Sequence, residues 1–302
     1  VALRFGVEHE IDWVAVSFVR TVEDIRYAKA FLSSIGSNAP IMAKLERAEG
    51  LENIDAILQE VEGVMVARGD LGVEIPMEQV PTVQKELVKK ACQVAKVSCI
   101  ATQMLRSMMV SPTPTRAEVS DIANAVLDGC DSILLSDEIA VGQYPVEAVT
   151  MADKTMREAE KIYPYGKDYS SGDRTQAIAE SASRLTHALN SKPIVITSTG
   201  KAAFEVSRFR PENDVMVFAH DEAVLRRLCM GWGLHPVGVL PPEQDIAKMV
   251  SMLVRGSLAT GLVAETDIVT IVHGFLSGVS GTTNTIQVLD LREYLAATSE
   301  PR

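Results

Sequence analysis

Short apolar runs alternate with amphipathic stretches through the first half of the chain. The runs cover residues 12–18, 40–44, 63–67, 98–102 and 131–136, and they start 28, 23, 35 and 33 residues apart. Their length and β-branched content predict parallel strands buried on both faces. The stretches between them carry helical periodicity. Thr21 with Asp24, and Thr115 with Glu118, have the spacing of a capping box. Pro81 suits a first helical position ahead of a pattern reaching about residue 97, and another helix reads from Pro145 to about Lys161. Repeating βα units of this size build a parallel sheet, either a barrel or an open doubly wound sheet.

The polar residues separate these two folds. Each run ends in chemistry: Ser17 and Arg20, then Lys44 and Glu46, then Arg68, Gly69 and Asp70, then Thr102 and Gln103, then Ser136 and Glu138. An open sheet gathers its site at one switch point. A barrel gathers the C-terminal ends of all its strands around one mouth. Five such ends predict an incomplete (β/α)8 TIM barrel of about five βα units, lacking three units on its N-terminal side.

A second pattern follows the polar stretch "KIYPYGKDYSSGDR" at 161–174. Helices are expected near 175–190, 202–209, 221–231 and 243–258. Strands are expected at 193–198, 214–219, 236–240, 267–274 and 284–291, the last two as an antiparallel pair. The expected organisation is a barrel domain at 1–162, a linker at 163–174, and a separate α/β domain with a mostly parallel sheet at 175–302.

Composition narrows the partners. The 302 residues are 47% hydrophobic, 23% charged and carry a net charge of −11. That surface repels polyanions, so nucleic acid and anionic membranes are not expected partners. Cysteines at 92, 99, 130 and 229 lie in apolar stretches without a CxxC pair, which predicts buried reduced thiols in a cytoplasmic protein. The tripeptide Arg68-Gly69-Asp70 also spells an adhesion motif, a reading that needs a secreted protein. The cysteine usage opposes it.

Glu46 and Asp70 on adjacent strand ends place two hard carboxylates where a divalent cation with waters and substrate oxygens could be held. Lys44, two residues before Glu46, could stabilise a developing enolate or phosphoryl charge. Amides at Gly69 and Asp70 could meet an anionic group, and Thr102 and Ser136 are hydroxyls able to orient water. Each has a plainer alternative: a surface Lys–Glu pair, or a turn-capping threonine.

The stretches "VAVSFVR" (14–20), "MAKLE" (42–46), "GVMVARGDLGVEIP" (63–76), "ATQML" (101–105), "PTRAEVSDIANAVLDG" (114–129) and "LLSDEIAVGQYPVEAV" (134–149) closely resemble the pyruvate kinase family. "SRFRP" (207–211) and "GTTNTIQV" (281–288) resemble its C-terminal domain. The resemblance implies phosphoryl transfer from phosphoenolpyruvate to ADP, giving pyruvate and ATP, with Mg²⁺ (or Mn²⁺) and K⁺. It implies a glycolytic homotetramer. By resemblance Lys44 stabilises the transferring group, and Glu46 and Asp70 bind the divalent ion. Gly69, Asp70 and Thr102 hold the substrate carboxylate, Arg68 braces its loop, and Ser17, Thr102 and Ser136 order a proton-donating water. The family's first three strands and lid are not matched by any stretch of this chain, so the chain alone is expected to be inactive.

Several positions depart from the family pattern: Arg47 in place of asparagine, Arg106 in place of glutamate, and Asp137 and Ile139 in place of glycine and threonine. In the second domain, Thr197, Ser198, Thr199, Gly200 and Lys201 would face Gly278, Ser280, Gly281 and Thr282. Together they form either an effector pocket for a sugar phosphate or AMP, or a capped helix beside a tight turn. Two other functions remain open from the residues: a metal-dependent aldolase or lyase working through a pyruvate enolate, and a non-catalytic effector-binding or oligomerisation module.

Overall fold

The computed structural model describes residues 2–274, 281 and 283–299. It divides into two compact units, Val1–Pro164 and Tyr165–Arg302.

In the first unit α1 (Ala2–Glu8) precedes β1 (Val14–Val16), α2 (Val22–Ser34) and β2 (Ile41–Leu45). Next come α3 (Ala48–Glu52), α4 (Ile54–Glu60), β3 (Gly63–Ala67), α5 (Arg68–Glu74) and α6 (Val80–Gln93). β4 (Val97–Ala101), α7 (Arg116–Asp128), β5 (Ser132–Leu134), α8 (Asp137–Ala140) and α9 (Pro145–Glu160) complete it. The strands lie in sequence order, β1-β2-β3-β4-β5, and every pair is parallel. A doubly wound sheet would reverse its order at a switch point. This one runs on in one direction, as an arc of a barrel does. Parallel pairing in order also puts all five C-terminal ends on one rim.

The helices form where the caps place them. Thr115 accepts the Glu118 N–H at 3.3 Å while the Glu118 carboxylate accepts the Thr115 N–H at 2.8 Å, starting α7. Gly129 ends α7 in the left-handed region. Before α2, Asp24 accepts the Thr21 N–H at 3.0 Å and the Arg20 N–H at 2.9 Å. The core of the unit is a single apolar cluster including Ile41, Leu45, Ile57, Leu71, Ile100 and Met104. α1 and α5 were not among the helices read from periodicity.

The second unit contains α10 (Arg174–Leu189), β6 (Lys192–Thr197), α11 (Lys201–Ser207), β7 (Val215–Ala219) and α12 (Glu222–Leu228). β8 (Leu234–Val239), α13 (Ile246–Ala259), β9 (Ile268–Gly274), β10 (Thr283–Asp290) and α14 (Leu291–Ser299) follow. The sheet order is β10-β9-β6-β7-β8, parallel except for the β10–β9 pair. One face packs on α10 and α11 through Ala182, Ala203 and Val206, and the other on α13 through Leu253 and Val254. The polar stretch after Pro164 lies on this unit: Gly166 and Lys167 N–H groups donate to the Arg210 and Phe209 carbonyls at 2.9 and 2.8 Å. α14 was not read from the sequence, since its periodicity follows β10 without a break.

Three of the four cysteines are buried as expected, and Cys229 is not. It is exposed just beyond α12, because the buried face of that helix is formed by Val224, Leu225 and Leu228. Among the described residues no helix is long and apolar enough to cross a membrane.

Ile100 is fully buried in the central part of the first sheet. Ile100→Ala is expected to cost about 2–5 kcal/mol. Urea unfolding followed by Trp13 fluorescence in a Trp232→Phe background checks this, because the chain's two tryptophans lie one in each unit.

Candidate active site

The rim begins with a buried charge. Glu46 follows β2 and is 1% exposed. A carboxylate in such a place needs partners for both oxygens. Oε1 lies 2.9 Å from the Lys44 ammonium, and Oε2 accepts the Phe18 N–H at 2.7 Å. Lys44 Nζ also donates to Ser17 Oγ at 3.1 Å. Ser17, Lys44 and Glu46 therefore meet at the β1 and β2 ends.

The β3 and β4 ends meet through Thr102. Its Oγ1 accepts the Gly69 N–H at 2.8 Å. Arg68 reaches the same loop: Nη2 donates to the Thr102 carbonyl at 2.8 Å, and Nη1 pairs with Asp121 at 2.7 Å. Arg68 is thus a brace between α5, the β4 loop and α7. A Cβ placed at Gly69 would meet Thr102 no closer than 3.5 Å. Protein packing leaves room for alanine there.

The remaining residues lie apart. Asp70 is exposed in the first turn of α5, with no hydrogen bond or ion pair to another described side chain. Ser136 connects to the β4 loop through Glu138, a buried carboxylate that accepts the Ser136 N–H at 2.8 Å and the Leu105 N–H at 3.1 Å.

Phe18, Thr102 and Gln103 are non-glycine residues with φ of 55°, 74° and 56°. Such backbone is costly and tends to collect at functional sites. All three sit just beyond strand C-termini of the first unit. Phe18 was missed by sequence reasoning, and Glu138 was read as a polar strand end without a role at the site. Backbone strain leaves no mark on composition, and a buried glutamate looks like any other glutamate.

The donor set suits a hard divalent cation. Among the described residues, Asp70 offers two oxygens without a protein partner. Each Glu46 oxygen has one bond and further acceptor capacity. Among the described residues no group of three or more His, Cys, Asp or Glu side chains is placed to hold a metal. A cation here would complete its shell with water or substrate oxygens.

In the second unit, Thr197 Oγ1 accepts the Gly200 N–H at 3.0 Å, and Gly200 is left-handed. Lys201 Nζ lies 3.2 Å from Asp173, and the Arg174 guanidinium donates to the Gly281 carbonyl at 3.0 Å. Ser198 and Thr199 complete this loop. Gly278, Ser280 and Thr282 lie outside the described residues.

Fold and site together define a class: an arc of a (β/α) barrel with charged strand ends on one rim, followed by a separate α/β domain. Residues 1–149 match the barrel domain of pyruvate kinase, and residues 176–289 match its alpha/beta domain. Pyruvate kinase of Clostridium acetobutylicum is 42% identical over 294 residues, covering 95% of this chain and 62% of that protein. Pyruvate kinase 2 of Synechocystis is 40% identical, covering 95% and 49%. Pyruvate kinase of Thermotoga maritima is 38% identical, covering 95% and 62%. The chain belongs to the pyruvate kinase family, and it spans between half and just under two thirds of the length of these relatives.

Glu118 fastens the β4 loop to α7. Burial pushes its carboxyl up, but the Ser107 hydroxyl and amide, with Thr115, outweigh that and hold it below the ordinary value. A depressed folded-state value means these bonds stabilise the fold fully above about pH 4.3, the unfolded glutamate value. Their contribution fades as pH falls through the lower folded value. Glu118→Gln is expected to cost about 1 kcal/mol at pH 7. Urea unfolding at two pH values checks that the deficit narrows below about pH 4.

Proposed function

We propose that the rim serves phosphoryl transfer from phosphoenolpyruvate to ADP, giving pyruvate and ATP. The observation that supports it is the Ser17–Lys44–Glu46 contact, with Lys44 Nζ 3.1 Å from Ser17 and 2.9 Å from Glu46. In this reading the bond between phosphorus and the enol oxygen breaks, and an ADP phosphate oxygen takes the phosphoryl group. The ammonium of Lys44 neutralises charge on that group and on the enolate left behind. Glu46 and Asp70 hold Mg²⁺ or Mn²⁺, which supplies Lewis-acid polarisation when bound.

Thr102 accepts from Gly69, so its own O–H is available to donate to the substrate carboxylate. The Asp70 amide is assigned to the same carboxylate, and the Gly69 amide exchanges Thr102 for it on binding. Ser17, Thr102 and Ser136 order the water that protonates the enolate carbon. K⁺ belongs to this family expectation, without an assigned residue here.

For the second unit we propose a sugar-phosphate or AMP effector at Thr197, Ser198, Thr199, Gly200, Lys201 and Gly281. Two cations at this loop, Lys201 and Arg174, support this; a bound phosphate would have to draw them from Asp173 and the Gly281 carbonyl. A cytoplasmic homotetramer completes the reading.

The β1 and β5 edges are unpaired among the described residues, and a closed barrel has eight strands. The 302-residue chain by itself is expected to bind without turnover. A coupled assay checks this, and sustained ATP formation by the chain alone overturns it. Oxalate, an enolate mimic, should bind with Mg²⁺ in calorimetry. Gly69→Ala should weaken oxalate about tenfold, because a Cβ there obstructs close approach to the backbone. Its thermal midpoint should stay near the parent's. Absence of oxalate binding by the parent chain overturns the site assignment.

A further inference from the structure

Arg47 directly follows the buried carboxylate Glu46. Its guanidinium engages two neighbours at once. Nη1 donates to Glu74 Oε1 at 2.7 Å, and Cζ lies 5.4 Å from the centre of the Phe18 ring. Glu74 is the last residue of α5, whose first turn carries Asp70. Phe18 is the left-handed residue whose N–H holds Glu46 Oε2. One side chain thus bears on the supports of both carboxylates assigned to the cation.

Phe18 is 48% exposed, so the core does not fix it. A cation over an aromatic face is attracted to it, and the ion pair to Glu74 holds that cation in place. Arg47 therefore supplies a support for this rim from two sides.

We propose that Arg47 is a positioning residue for the divalent-cation site, holding the β1 loop and α5 so that Glu46 and Asp70 are pre-organised. The inference rests on the cation-site reading above and adds the residue that sets its affinity. Arg47 touches neither cation nor substrate in this role.

Mn²⁺ titration of the full 302-residue chain, followed by electron paramagnetic resonance, tests it. The variants are Arg47→Ala, Glu74→Gln and the double variant. Arg47→Ala should bind Mn²⁺ about threefold to fivefold more weakly, the scale of one exposed ion pair. Glu74→Gln should weaken it in the same direction. The double variant should be no weaker than Arg47→Ala, because both changes break one contact.

Hydrogen exchange of the Phe18 amide in the metal-free chain gives a second readout, expected to quicken about threefold in Arg47→Ala. Thermal midpoints should stay near the parent's. If Arg47→Ala does not fold, Glu74→Gln carries both measurements. Parent-like Mn²⁺ affinity in both single variants, or additive losses in the double variant, overturns this inference alone. Failure of the parent chain to bind Mn²⁺ overturns the cation-site reading and this inference with it.

Discussion

A carboxylate buried at the end of a strand is the constraint around which the rim of the first unit is arranged. Glu46 is removed from water, and an unpaired charge in that position would be strongly destabilising. Its two oxygens are therefore met by an ammonium from its own strand and by a backbone N–H from the neighbouring loop. The residue that presents that N–H, Phe18, lies in the left-handed region. The cost of one strained residue is offset by the satisfied charge, and the same contacts bring Ser17 and Lys44 together.

Strand order makes such an arrangement possible. Parallel strands that follow one another in space point every C-terminal end the same way, and each loop leaves the sheet beside the next. The β3 and β4 loops use this closeness differently from β1 and β2. There Arg68 grips the Thr102 carbonyl and Asp121, so a guanidinium takes the place of a buried acid. At the last strand Glu138 plays the acid's part again, holding two amides from two loops. The rim is a row of charged side chains satisfied by loop backbone.

The second unit shows the same economy in another setting. Arg208 and Glu205 are both buried and lie 3.3 Å apart, and Arg208 also donates to the Ser170 carbonyl at 3.1 Å. Burial pushes the Glu205 carboxyl up, with Arg208 opposing. The polar stretch that precedes α10 is fastened to this unit by such contacts. Its Pro, Gly and Ser residues are turn formers, yet its backbone is hydrogen-bonded.

Period and capping were legible along the chain. Both capping boxes, the ten strands of the described residues and the antiparallel last pair follow from local spacing, since helix and strand periods are properties of neighbouring residues. The polar strand ends were legible too, and Ser17, Lys44, Glu46, Gly69 and Thr102 stand at them. Tertiary structure decided what these side chains do to one another. The exposure of Cys229, the left-handed turns at Phe18 and Thr102, the buried Glu138 and the reach of Arg47 to Glu74 depend on residues 27 to 33 positions apart, or on which helix face meets a sheet. Local sequence sets the element. Desolvation and packing between distant elements set the burial, the strain and the pairing.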